Sequence, residues 1–437
     1  MKVPLSIFAH HDKIIIHRNK KAESVDIPFK PFILYESNEY PHILGKKGTW
    51  TKIPDNVELT YTKQEFDSVS DFNMRRKEER ENLSKVYSNN YIEQIFISDK
   101  EWVLNYPNDN DIRLMFFDIE VASKGDGLFP TPINNDILTI GYSIWDYKSD
   151  GTKVKVLQKV IDNYNEVTKD FDTCYEFAKD INELDPDIIA GYNSEDFDWP
   201  YVIERCVLNK IDTKLFSRGS KDISIYDEKL RIPGRILFDI YNSNIGAHKD
   251  QNIFGIKSRT LKDVARYYKI DIEDIEVKEN ISNMLQLYNE DKETLIKYQI
   301  ADILRTEFVG QIYIRNCIVI AEMLMIPLDN ILNMYSSFVP KLFVARNMYE
   351  KRLINVETNF QKYNTVNGSV AKLGSKFTGA VVGLKKKGFF NQVYKIDFRS
   401  MYPSAICNWN LGPDTTTFVE KKPYTGQYKF DRDDKYN

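Results

Sequence analysis

The sequence predicts a multidomain α/β protein whose central part is a mixed β-sheet with helices on its faces. Two observations carry this. Three short apolar runs of strand length follow one another between residues 113 and 161. Strand and helix patterns then alternate to about residue 310. A length of 437 residues suits about two to four domains.

Residues 1–107 read as mixed strand and loop, rich in Tyr and Phe, with a charged stretch at 75–81 (RRKEERE) that reads as a solvated helix face. Residues 113–121 (RLMFFDIEV) have the length and pattern of a buried strand that carries two acids. Residues 137–147 and 153–161 are two further strands. Helical spacing over 170–184 puts Phe171, Cys174, Ala178 and Ile181 on one face. A short strand at 187–190, a helix at 199–210, a hairpin-like stretch at 223–241 and a helix at 293–310 complete this part. Residues 315–360 read as mostly helical; a loop with Gly368, Gly374 and Gly379 follows, then a strand at 393–398.

Hydrophobic residues make up 42% and charged residues 28%, the balance of an ordinary globular protein. A net charge of −4 argues against a protein that coats nucleic acid by bulk charge, but leaves room for local basic and acidic clusters. No apolar run is long enough to span a membrane, and the N-terminal residues do not read as a secretory leader. The four cysteines (Cys174, Cys206, Cys317 and Cys407) are far apart, with no CxxC pair, so reduced thiols in a cytoplasm are expected rather than a zinc site or disulfide framework.

Three acidic motifs carry the chemistry. Residues i and i+2 of a strand point the same way, so Asp118 and Glu120 leave one face while Phe117, Ile119 and Val121 pack on the other. Two acids at the end of a buried strand are costly unless a cation binds them. Magnesium or manganese, which take carboxylate oxygens and water, are the natural candidates. Alone, D-x-E is a weak motif. The second piece, GYNSEDFD over 191–198, follows a strand and enters a helix; Asp198 alone reads best as a helix N-cap, with Pro200 supporting a helix start. In the third, Tyr298 and Asp302 stand at i and i+4 of a helix and so share a face. That spacing is common by itself.

Taken together and in this order, DIE, N-x3-FD and Y-x3-D resemble the three exonuclease motifs of the DEDDy proofreading nucleases, at the spacing of family B DNA polymerases. The resemblance implies an RNase H-like 3′→5′ exonuclease. Its metal-binding quartet would be Asp118, Glu120, Asp198 and Asp302, holding two Mg2+ or Mn2+ ions, with Tyr298 alongside. Phosphodiester hydrolysis needs a nucleophilic water and charge relief at the leaving 3′ oxygen, which two metals supply. A Tyr, with an ordinary pKa near 10, positions that water more readily than it deprotonates it.

Residues 397–404 (DFRSMYPS) resemble motif A of the same family, D-x-x-S-L-Y-P-S, with Met401 in the Leu position. By resemblance, Asp397 and the carbonyl of Phe398 would bind the polymerase metals. Ser400, Met401 and Tyr402 would bind the nucleotide: the backbone amides of Met401 and Tyr402 would meet its triphosphate, and the Tyr402 ring would exclude a 2′-OH. Residues 377–380 (FTGA) resemble the Tyr-x-Gly-Gly/Ala element that contacts template, but Phe377 carries no hydroxyl. Phe377, Gly379 and the basic run Lys385, Lys386 and Lys387 are candidate DNA contacts; for the lysines a solvated turn is the alternative. Residues 28–35 (PFKPFILY) resemble an N-terminal strand common in the family.

The resemblance thus covers nearly the whole chain and is closest in layout to T4-like phage polymerases. It divides the chain into an N-terminal domain (1–107), the exonuclease (108–314), a helical return (315–365) and the start of a palm (366–437). The family's motifs B and C are not found in these residues. The expectation is therefore the N-terminal portion of a DNA polymerase with proofreading activity, polymerising only with a separate C-terminal part, whether as half of a split enzyme or as a truncated piece. The alternative is a non-catalytic half that binds primer–template. The partners implied are a single-stranded DNA 3′ end, primer–template, that C-terminal fragment and a sliding clamp, with no membrane. The compartment implied is the cytoplasm, the host's if the source is viral.

Overall fold

The structure is a computed structural model. It describes residues 30–53, 57–79, 111–123, 128–148, 150–226, 229–242, 258–270, 283–324, 328–333 and 400–410, shorter pieces at 6–10, 13–17, 24–28, 86–87, 351–355, 363–366, 369–372, 416–420 and 429–432, and single positions 272, 343 and 347. The chain divides into two compact units, Met1–Phe29 with Tyr91–Ala345, and Lys30–Asn90 with Arg346–Asn437.

The first unit is built on a five-stranded sheet. Its strands are β1 (Ile112–Val121), β2 (Ile137–Tyr147), β3 (Lys153–Ile161), β4 (Ile188–Gly191) and β5 (Ile236–Asp239), in spatial order β3-β2-β1-β4-β5. The first three form an antiparallel meander, and β4 and β5 extend it in parallel. Helices α1 (Phe171–Leu184) and α2 (Asp198–Leu208) connect β3 to β4 and lead on from β4. Farther along come α3 (Leu261–Tyr267), α4 (Met284–Glu290) and α5 (Lys292–Leu324).

Strand periodicity decides what each face of β1 touches. Met115, Phe117, Ile119 and Val121 enter a core with Phe177, Ala178 and Ile181 of α1 and Trp199 and Val202 of α2. Leu114 and Phe116 enter the opposite core, with Val309, Tyr313, Ile314 and Cys317 of α5. Phe116 and Phe117 are both fully buried. Burial of side chains this size contributes roughly 1.5–3 kcal/mol each, so the strand is held from both sides. The face that begins with Leu114 and Phe116 is the one on which Asp118 and Glu120 stand.

Helix α5 lies close to the sheet because two glycines remove side chains from its path. A Cβ on Gly141 would come within 2.2 Å of Ile303 Cδ1 and 2.7 Å of Gln299 Cγ, and one on Gly310 within 2.5 Å of Phe116 Cε1. Gly141 pairs with Asp118 in the β1–β2 register, so the closest approach falls beside the acids.

The meander and the alternation after it follow the sequence expectation, with three local differences. Phe171 is exposed and stacks on Tyr175 one turn on; Phe177 takes the buried place on α1 beside Cys174, Ala178 and Ile181. The hairpin at 223–241 is shorter than its sequence suggests. Ser224–Tyr226 pairs with Lys229–Arg231, whereas Ile236–Asp239 leaves to join the central sheet. The helix expected at 293–310 runs on to Leu324.

The second unit carries a sheet of Leu353–Asn355, Lys46–Ile53, Val57–Glu65, Phe32–Glu36 and Val86–Tyr87, in that order. Phe32–Glu36, from the PFKPFILY stretch, is its buried strand. The charged stretch begins on the helix Val69–Glu78, with Lys77 and Glu78 exposed as expected and Glu79, the C-cap, buried against Arg75; Arg80 and Glu81 lie outside the described residues. Leu353–Asn355 is a strand inside the region expected to be mostly helical. A helix Met401–Asn408 closes the described part of motif A. Among the described residues no helix is long and apolar enough to cross a membrane.

Candidate active site

Three of the four candidate carboxylates converge. Ligand oxygens of Asp118, Glu120 and Asp302 lie within 4.8 Å of one another. The first two come from consecutive outward positions on β1, the third from α5. Asp302 is held there by Arg305, whose guanidinium donates to it at 2.7 Å. Tyr298 stands one turn earlier on the same helix, beside Asp302.

Asp198 joins by a different route. It is the first residue of α2 rather than its N-cap, which is Phe197 without a side-chain cap bond. Its carboxylate is 3% exposed and accepts from the backbone N–H of Ile119, 3.3 Å away, between the two acids of β1. The capping role suggested by the motif alone thus gives way to a contact between elements. The loop before α2 is shaped by Asp239 at the end of β5, which accepts from the backbone N–H groups of Asn193, Glu195, Tyr241 and Asn242. Asn193 adopts φ of 65°, which Asn tolerates better than most residues.

The electrostatics follow from burial and like charge. Burial, then the neighbouring Asp198, Glu120 and Asp302, push the Asp118 carboxyl well above the usual range, against the single opposing bond from Gln299. Burial, then Asp302 and Asp198, push Glu120 up to about 8. Burial raises Asp198 to about 7 despite the backbone bonds it accepts. Burial and the nearby carboxylates push the Tyr298 phenol strongly upward, so it stays protonated across the neutral range. The Lys262 ammonium sits 5.4 Å from the Tyr298 ring centroid.

These residues fit a hard divalent cation. Clustered carboxylates in a low-dielectric setting hold protons because too little positive charge faces them, and a divalent ion supplies it with oxygen ligands at the right separation. Arg305 offsets Asp302; Gln299 is an uncharged donor to Asp118; the Glu120 carboxylate receives no hydrogen bond from a described residue.

Sequence reasoning missed Gln299, Thr139, Gly141, Arg305 and Asp239. Of these Gln299 and Arg305 had a local clue, their three-residue spacing from Asp302 on one helix. In the second unit, Ser400 takes the left-handed conformation (φ 51°) as N-cap of the helix Met401–Asn408, whose first residues Met401 and Tyr402 are 51% and 66% exposed. Asp397, Phe398, Phe377, Gly379, Lys385, Lys386 and Lys387 lie outside the described residues, as does the expected strand at 393–398.

A family model described as DNA polymerase family B, exonuclease domain, matches residues 57–245. DNA polymerase 2 of Aeropyrum pernix is 25% identical over 325 residues, which cover 72% of this chain and 36% of that protein. The DNA polymerase of Archaeoglobus fulgidus is 28% identical over 243 residues, covering 55% of this chain and 28% of that one. The DNA polymerase delta catalytic subunit of Dictyostelium discoideum is 26% identical over 345 residues, covering 71% and 29%. The aligned part of this chain thus spans about a third of the length of these relatives. The solved family B DNA polymerase of the hyperthermophilic archaeon Pyrobaculum calidifontis has the same fold, with a TM-score of 0.62 at 19% identity over 98% of this chain and 59% of that chain.

Proposed function

We propose, from the match of residues 57–245 to the exonuclease-domain model of the family B DNA polymerases, that this chain hydrolyses DNA from its 3′ end, as the proofreading activity of a DNA polymerase of which it is the N-terminal portion. The observation that carries the proposal is the convergence of Asp118, Glu120 and Asp302, within 4.8 Å, from a buried strand and a helix far apart in sequence.

In this reading Asp118, Glu120, Asp198 and Asp302 hold two Mg2+ or Mn2+ ions. Bound there, the ions would supply an activated water and charge relief at the leaving 3′ oxygen. Tyr298 keeps its proton, so its hydroxyl orients the attacking water or the scissile phosphate by donating a hydrogen bond. Arg305 fixes the Asp302 carboxylate, and Asp239 fixes the loop that delivers Asp198. The hairpin of Ser224–Tyr226 and Lys229–Arg231 serves to part the strands, and Lys229 ties it to Glu195 beside the site at 3.0 Å.

The remaining assignments rest on motif likeness. Asp397 and Phe398 would hold polymerase metals, Ser400, Met401 and Tyr402 a nucleotide, and Phe377, Gly379 and Lys385–Lys387 the DNA. The division at 107, 314 and 365, a C-terminal polymerase part and a sliding clamp as partners, and a cytoplasmic, phage-encoded setting belong to the same proposal.

The test is digestion of 5′-labelled single-stranded DNA with magnesium, comparing the chain with Asp118→Ala/Glu120→Ala. A ladder shortening from the 3′ end that the double variant abolishes supports the proposal. A folded, metal-loaded wild type that yields no ladder favours the reading as a primer–template-binding half.

A further inference from the structure

We infer that Gln299 is a positioning residue that locks the Asp118 carboxylate toward its metal, and that Thr139 sets the orientation of the Gln299 amide. The inference rests on the metal-dependent nuclease reading and extends it to two residues that bind neither metal nor DNA.

The geometry is specific. Gln299 is fully buried, and its Nε2 donates both to the backbone carbonyl of Asp118 at 2.9 Å and to its Oδ2 at 3.2 Å. A carbonyl oxygen can only accept, so the amide has one possible orientation, with Nε2 toward Asp118 and Oε1 away from it. The Thr139 hydroxyl, also fully buried, completes the arrangement by donating to Gln299 Oε1. Thr139 pairs with Glu120 across the β1–β2 ladder, and Gly141 pairs with Asp118. The missing Cβ of Gly141 leaves the room that Gln299 Cγ occupies.

One amide therefore bonds the backbone and the side chain of the same residue, which fixes the side-chain torsions of Asp118 relative to its strand. The choice of an amide has a reason. Lys or Arg here would bond the carboxylate equally well but would cancel charge that the cation needs. A neutral donor orients the anion and leaves its charge in place. Partners that orient a metal ligand in this way commonly carry about 10–100-fold in affinity or activity.

The test uses the full chain as wild type, Gln299→Met, Thr139→Val and Thr139→Ser. Met keeps the side-chain volume against Gly141 and Ile303 but cannot donate, and thermal unfolding of each variant reports that the fold stands. Two quantities are measured: Mn2+ affinity by calorimetry without DNA, and steady-state digestion of 5′-labelled single-stranded DNA with Mg2+. Gln299→Met should weaken Mn2+ binding and lower kcat by about tenfold or more, with KM for DNA unchanged. Thr139→Val should do the same more mildly, and Thr139→Ser should restore both. Wild-type Mn2+ affinity and kcat in folded Gln299→Met would overturn the inference, as would equal behaviour of the Val and Ser variants. A wild type that binds no Mn2+ removes the nuclease reading itself, and this inference with it.

Discussion

The backbone N–H of Ile119 donates to the Asp198 carboxylate across 79 residues of sequence. This bond joins the strand that presents Asp118 and Glu120 to the helix that begins at Asp198. It is buried, so the donor has no water to fall back on. Asp198→Asn keeps an acceptor oxygen for Ile119, whereas Asp198→Ala leaves the N–H unsatisfied, a loss of about 1–3 kcal/mol. Urea unfolding should therefore rank the Asn variant above the Ala variant by that amount, with both lacking exonuclease activity. Equal stabilities would mean that the bond is not maintained in solution.

Gly141→Ala should push α5 off the sheet beside the acids, because the new Cβ meets Ile303 and Gln299 well inside contact distance. Overpacking of this kind costs about 1–3 kcal/mol. Gly310→Ala meets Phe116 and Ile240 farther along the same contact between α5 and the sheet and should cost as much. The two separate in function. Gly141→Ala displaces Tyr298 and Asp302 and should lose nearly all DNA digestion, whereas Gly310→Ala should retain more of it. Paired melting curves and digestion rates decide this.

Metal-free stability should fall as pH rises through the neutral range. The folded protein holds protons on Glu120 to about pH 8 and on Asp198 to about pH 7, whereas their ordinary values are 4.5 and 3.8. Folding thus favours the protonated forms. Their contribution is complete below those ordinary values and is lost as pH climbs through about 7 to 8. With EDTA, the thermal midpoint should decline over that window; saturating Mg2+, which binds the deprotonated form, should reduce the decline or reverse it. Glu120→Gln should flatten the EDTA profile, gain about 0.5–2 kcal/mol above pH 8, and lose activity. A midpoint independent of pH and of Mg2+ would speak against a metal site here.

Arg305 is 3% exposed and pairs with Asp302 within one helix turn. Removing one partner of a buried pair leaves an uncompensated charge, so Arg305→Met should destabilise the metal-free protein by about 3 kcal/mol. Mg2+ should return part of that loss by replacing the missing positive charge. Urea denaturation with and without Mg2+ measures both effects.

How much was legible in the sequence depends on the range over which each feature is set. A period of two placed Asp118 and Glu120 on one face of β1, and a period of 3.6 placed Tyr298 and Asp302 on one face of α5; both are local geometry of the backbone. Strand runs of apolar residues marked β1, β2 and β3 for the same reason. Phe171 failed because helical spacing ranks positions around an axis without saying how wide a stripe the neighbours cover. The third strand of the 223–241 stretch failed because turn chemistry does not reveal which sheet a strand will join. Asp198 read as a cap because its partner is a backbone N–H 79 residues away.

The sequence by itself therefore determined the acids, their order and the elements that carry them. Only the tertiary structure decided which faces meet, that Gly141 lets α5 approach beside Asp118, and that Gln299 reaches Asp118 from 181 residues away with Thr139 behind it. The physical reason is that strand and helix periods act over a few residues. The buried donors, acceptors and missing side chains that fix the site are matched across the whole core, and no local period encodes them.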